Sequence, residues 1–194
     1  MGWMSLPKLG LVVGGQGRGS NMSNIAMRCA DGTLPAEVAV VVAPKEDIPS
    51  VAAARKLGLD VVIVSTKDPS YDTALATALA EVDLVCLCGY MRLLPQTVLQ
   101  AHPNRVVNIH PALLPKFGGK GMYGMHVHDA VLAAGERQSG CTVHLVTPIY
   151  DEGHIIVQKT CPVEPGDVAP TLAARVLALE HQAYIEAIRE VLHL

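Results

Sequence analysis

Short apolar runs alternate along this chain with stretches whose apolar positions recur at helical spacing. The runs over 9–13, 38–43, 61–64, 83–88 and 106–109 are aliphatic and largely β-branched, and they read as buried strands. Met22, Ile25, Ala26 and Cys29 share one helical face, closed by Gly32. Pro49 opens a helix through Leu57, with Gly58 as its stop. Leu75, Leu79 and Val82 line one face of a helix over 72–82, and a short helix covers 96–101. A glycine-rich loop spans 116–125 and a short helix follows over 128–134. Strands over 141–147 and 155–159 flank the turn 148–153, and a long amphipathic helix covers 171–191.

Strands alternating with helices mean βαβ units joined by right-handed crossovers. The expected fold is α/β: a single-domain, Rossmann-like, doubly wound and mostly parallel sheet over residues 1–194. No helix separates the last two strands, so an antiparallel portion is expected near the C-terminal end. No internal repeat or interdomain linker interrupts the pattern.

Composition narrows this further. The chain is 50% hydrophobic but only 4% aromatic, and an aliphatic core suits a parallel sheet covered by helices. A net charge of −3 without a basic tract argues against nucleic acid as a partner. Cys29, Cys86, Cys88, Cys141 and Cys161 are scattered and odd in number, as reduced thiols of a cytoplasmic protein are. Cys86-Leu87-Cys88 lacks a second pair at metal spacing, and no metal is expected. No apolar run reaches membrane-spanning length, so no membrane partner is expected. Gly2, Trp3 and Pro7 stand where a secretory signal would be continuously apolar, so none is expected.

Three stretches carry candidate chemistry. Gly14-Gly15-Gln16-Gly17-Arg18-Gly19-Ser20-Asn21 joins the first strand to the first helix, where glycine backbone and free N–H groups cradle a phosphate. Ser20 stands where the dinucleotide fingerprint needs Gly and where a P-loop needs Lys, so no nucleotide is named. The alternative is a tight turn capped by Ser20 or Asn21. Phosphate is favoured because the glycines exceed what one turn needs.

Asn108 and His110 lie two apart on the strand before Pro111, so they share a face at its carboxyl end. There an amide donor and an imidazole can hold an oxyanion and move a proton. From the residues alone, this reading and two side chains satisfying loop backbone stand equal. Asp151 before Gly153 reads by itself as an ordinary turn residue. His126-Val127-His128 suits a helix start better than a metal site. His144 fits a satisfied core histidine, and Arg92 fits either a solvated charge or a ligand contact.

Gly17–Asn21, Gly89-Tyr90-Met91-Arg92-Leu93-Leu94, Asn108–Lys116, the loop Thr147–Gly153 and Glu180-His181 occur in one order. Together they make the chain resemble the phosphoribosylglycinamide formyltransferase family over nearly its whole length. The resemblance implies formyl transfer from 10-formyltetrahydrofolate, as cosubstrate, to the amine of glycinamide ribonucleotide in purine biosynthesis. It implies a catalytic role for Asn108, His110 and Asp151. It implies folate contacts from Met91, Arg92, Leu93, Leu94 and Asn108, and from the loop Thr147, Pro148, Ile149, Tyr150 and Asp151. Gly19, Ser20 and Asn21 match the segment that holds the substrate phosphate. Leu177, Ala178, Leu179 and Glu180 match the far wall of the substrate site. The implied partners are these two small molecules, with the protein a monomer or homodimer.

The chain departs from the pattern in places. Pro148, Ile149 and Tyr150 stand where the family often has acidic residues. Asp68 replaces an Arg of some members, and the segment 118–125 is longer. Two other readings compete: a formyltetrahydrofolate hydrolase or a formyltransferase of another amine, and a noncatalytic nucleotide-binding module. A no-amine control separates the first, and the module has no need of Asn108, His110 and Asp151 together.

Overall fold

The computed structural model describes residues 5–194, so Gly2 and Trp3 lie outside the described residues. The elements follow the alternating pattern: β1 (Lys8–Val13), α1 (Ser20–Ala30), β2 (Glu37–Ala43), α2 (Pro49–Lys56), β3 (Val61–Ile63), α3 (Tyr71–Ala78), β4 (Leu84–Cys88) and α4 (Gln96–Ala101). They continue with β5 (Val106–His110), α5 (Met125–Ala133), β6 (Gln138–Leu145), β7 (Ile155–Pro162) and α6 (Ala169–Leu192). The strands form one seven-stranded sheet in the order β3-β2-β1-β4-β5-β6-β7. The expected antiparallel portion is the β6–β7 pair.

The described residues group into two compact units, one reaching Val107 and including Val191–Leu194, the other Asn108–Glu190. In the first, β1 pairs in parallel with β2 and β4, and β2 with β3. β4 is buried along its whole length, as a strand covered on both faces must be. The chain leaves β1 toward β2 and β3, then returns to β4 on the other side of β1, so a topological switch point lies between β1 and β4. There the backbones nearly touch. A Cβ on Gly14 would sit 1.8 Å from the Gly89 carbonyl oxygen, so only glycine fits.

Several boundaries differ from the pattern; β6, for one, covers Gln138–Leu145 rather than 141–147, and β7 runs on to Pro162. α3 ends at Ala78 rather than at 82, because its last residues tighten into turns in which Ala80 N–H donates to Thr77 and Val82 N–H to Leu79. Leu79 and Val82 stay buried all the same, which is why the helical spacing continued through them. β3 stops at Ile63; it is the sheet's edge, and Val62 and Ile63 are exposed. α5 begins at Met125, earlier than 128.

In the second unit β6 and β7 run from Gln138 opposite Pro162 to His144 opposite Ile155, with a register shift at Val143/His144. α6 buries Leu172, Val176, Ala183, Tyr184, Ala187 and Ile188, the i, i+4, i+7 stripe of an amphipathic helix.

Candidate active site

β5 carries Asn108 and His110, and β6 carries His144 next to its last residue, before the turn that holds Asp151. The second unit brings these four side chains together. His110 Nε2 donates to the Phe117 carbonyl at 2.7 Å, while its Nδ1 faces Asp151 Oδ2 at 3.6 Å. That distance exceeds a hydrogen bond and leaves the Nδ1 lone pair open. His144 Nδ1 donates to the Leu145 carbonyl at 2.9 Å, so in the neutral ring Nε2 accepts from Asn108 Nδ2 at 3.3 Å. Asp151 Oδ1 lies 3.5 Å from the same Nε2, poised to accept from it when the ring is charged. The second Asp151 oxygen accepts from Gly119 N–H at 2.9 Å. Asp151 adopts φ 56°, a left-handed conformation that Asp tolerates better than most residues.

Electrostatics at His110 pull in opposite directions. Burial lowers its pKa most, with a small further push from His144; the Asp151 charge and the Phe117 carbonyl raise it. Burial wins, so His110 lies below its ordinary value and is neutral at pH 7. A carboxylate alone would have lifted it. Once formed, however, the imidazolium finds an acceptor at each nitrogen. Burial also pushes the Asp151 carboxyl up, but the His144 ring, able to donate to it when charged, the Gly119 N–H and the charge His110 carries when protonated hold it below the usual carboxylate range. The arrangement is a neutral base beside a fixed anion, with an amide donor on the same strand.

The turn after β6 is held locally: Thr147 Oγ1 donates to the Ile149 carbonyl and accepts from Ile149 N–H. Pro148 and Ile149 are exposed and Tyr150 is half-buried. Leu177, Ala178, Leu179 and Glu180 lie on α6. Burial, then the nearby Glu180 charge, push the Cys141 thiol of β6 up to about 12, which places Glu180 beside that strand.

In the first unit Gly19 precedes α1 with φ 76°, and no side chain caps the helix. The N-cap position is thus held by Gly19 and not by Ser20 or Asn21, the residues of the alternative reading; the left-handed glycine turns the chain. After β4, Tyr71 and Tyr90 hydroxyls hydrogen-bond at 2.9 Å, Tyr90 O–H donates to the Leu93 carbonyl at 3.3 Å, and Arg92 lies over the Tyr71 ring. Burial raises the Tyr90 hydroxyl well above its ordinary pKa, so it stays a donor. This pair braces the segment Met91–Leu94, in which Met91, Arg92 and Leu93 are exposed and Leu94 is buried. Tyr90, Met91 and Arg92 also line a cleft of about 520 Å³ with Gly14, Gly15 and Tyr71. Among the described residues no group of side chains has metal-site geometry, and no helix is long and apolar enough to cross a membrane.

Residues 10–188 match the formyl transferase family. The chain belongs to that family. It is 42% identical over 180 residues to the chloroplastic phosphoribosylglycinamide formyltransferase of Arabidopsis thaliana, covering 89% of this chain and 61% of that protein. Thus the chain spans about three-fifths of the length of that curated relative. Glycinamide ribonucleotide transformylase 1 from Symbiobacterium toebii superposes with a TM-score of 0.87 at 42% identity, covering 95% of this chain and 86% of that one. Phosphoribosylglycinamide formyltransferase from Brucella melitensis gives a TM-score of 0.85 at 37% identity, covering 96% and 95%. The fold of these enzymes is the fold found here.

His144 is the member of this polar cluster that sequence reasoning passed over. The signal was present: Thr142 and His144 alternate on a strand that ends one short turn before Asp151. Alternation alone does not separate a core histidine from one facing a carboxylate.

Proposed function

We propose that this chain transfers the formyl group of 10-formyltetrahydrofolate to the amine of glycinamide ribonucleotide, giving formylglycinamide ribonucleotide and tetrahydrofolate, in de novo purine biosynthesis. The observation that carries the reading is the cluster of Asn108, His110 and Asp151 in a chain with these relatives. A bare nucleotide-binding module has no use for it. The protein acts in the cytoplasm, as one formyltransferase domain over residues 1–194, a monomer or homodimer without a metal.

The residues fit both substrates. Exposed Met91 and Leu93, on a segment braced by Tyr71 and Tyr90, offer apolar contact to a flat heterocycle such as the pterin. The loop Thr147–Asp151 is assigned to the same cosubstrate from the resemblance. Gly19, Ser20 and Asn21 hold the substrate phosphate at the start of α1, and Leu177–Glu180 hold the rest of the ribonucleotide.

The chemistry needs no enzyme nucleophile, because the substrate amine attacks. Asn108 Nδ2 carries two hydrogens; one goes to His144, and the other stabilises negative charge on the formyl oxygen as the amine adds. Neutral His110 takes the proton that the amine loses, at Nδ1. Asp151 stabilises the imidazolium, which then hands the proton to the departing folate nitrogen.

Purified protein incubated with glycinamide ribonucleotide and the formylfolate should release tetrahydrofolate only when the amine is present. Asn108→Ala should lower kcat by about 10²–10³, the usual loss for one oxyanion donor. Equal turnover without the amine would instead identify a hydrolase.

A further inference from the structure

Between His110 and Asp151 runs an irregular loop that supplies both of their backbone partners, the Phe117 carbonyl and the Gly119 N–H. Its near end is held from β6 and β7 by two side chains. Thr142 on β6 is fully buried, and its Oγ1 donates to the Ala112 carbonyl at 2.6 Å. The same oxygen accepts from Leu114 N–H at 3.1 Å and from Gln158 Nε2 at 2.9 Å. One donor and two acceptor positions are thereby all used. Gln158, opposite Thr142 on β7, spends its second amide hydrogen on the Leu114 carbonyl at 3.1 Å. Two side chains from a rigid hairpin thus hold three backbone groups of the segment that leaves β5.

We propose that Thr142 and Gln158 are positioning residues of the formyl-transfer site. They clamp Ala112 and Leu114 so that the loop delivers the Phe117 carbonyl to His110 Nε2. That contact fixes the proton on Nε2 and leaves Nδ1 open beside Asp151. Neither residue touches the reacting atoms; each acts through backbone. Side chains held by such a supporting shell keep the geometry that catalysis requires, and small displacements are expensive in rate.

The kinetic part of this inference rests on the formyl-transfer reading; the tautomer part does not. The test uses Thr142→Val, which keeps the shape and removes the hydroxyl; Thr142→Ser, which keeps the hydroxyl; and Gln158→Met, which removes both amide donors at an exposed position outside the core. Side-chain ¹⁵N spectra of His110 should show the Nε2–H tautomer in the wild type and in Thr142→Ser. A mixed population is expected in Thr142→Val and Gln158→Met. In those two, kcat should fall roughly ten- to a hundredfold with both KM values within about twofold, as expected for misplaced rather than missing groups. If Thr142→Val does not fold, Gln158→Met decides alone. A lower Tm with the tautomer and kcat unchanged would mark a purely structural clamp and overturn the proposal. If the wild type transfers no formyl group, the function reading fails, and the tautomer still decides whether the clamp positions His110.

Discussion

Replacing Asp151 by Asn removes one negative charge, keeps the side chain's shape and retains an oxygen for Gly119 N–H. His110 Nδ1 stands 3.6 Å from Asp151 Oδ2. At an effective dielectric near 20, that separation is worth about 4–5 kcal/mol to an imidazolium, an upper bound of roughly 3 pH units. The carboxylate is also engaged by His144 and Gly119, and relaxation around the pair lowers the value. A shift of about 1–2 pH units is therefore expected. Its direction is unambiguous. Burial already disfavours the charged ring, and Asp151 is the largest opposing influence, so the variant's His110 should titrate at lower pH than the wild type's. The check is an NMR titration of the His110 ring in both proteins, with kcat measured across the same pH range. Formyl transfer should fall by about 10–10² at neutral pH with KM little changed, because the lost interaction belongs to the transition state. His110→Ala should mask most of the further effect of Asp151→Asn, since groups acting as one unit are not additive. An unmoved His110 titration, or full additivity in the double variant, would refute the coupled pair.

Other expectations follow from the same geometry. Ser20→Ala with Asn21→Ala should raise KM for glycinamide ribonucleotide several-fold more than KM for the formylfolate, measured by initial rates; the reverse order would misplace the phosphate at α1. All five cysteines are free in the fold, so thiol titration in denaturant should count five, and reductant should leave Tm unchanged. Cys141 should react only on unfolding, its thiol being buried and raised to about 12. Both His110 and Asp151 bind protons less tightly in the fold than in the unfolded chain, so acid favours unfolding. Urea midpoints should fall as pH drops below about 6.5 through His110, and again below about 3.8 through Asp151. A midpoint that rises on acidification over the first window would contradict the burial of His110.

The elements of this chain were legible in its pattern because strand and helix periods are local. Each strand from β1 to β5 is a short aliphatic run, and α1 and α6 announce themselves by one apolar face. The antiparallel β6–β7 pair followed from the missing crossover helix. Even α3's error was local in cause: Leu79 and Val82 keep helical spacing because both are buried, although the backbone there is already turning. Asn108 and His110 could be placed on one strand face from their spacing. What the sequence did not determine was the company they keep. Asp151 lies 41 positions beyond His110, and by itself looks like any turn aspartate. His144 looks like a core histidine. Thr142 and Gln158 look like ordinary strand residues. Only the pairing of β6 with β7, and the loop leaving β5, turn these into an anion, its partner and a clamp. The state of His110 was decided there too. A carboxylate neighbour predicts a raised pKa, whereas burial, a property of the whole fold, is the larger influence and lowers it.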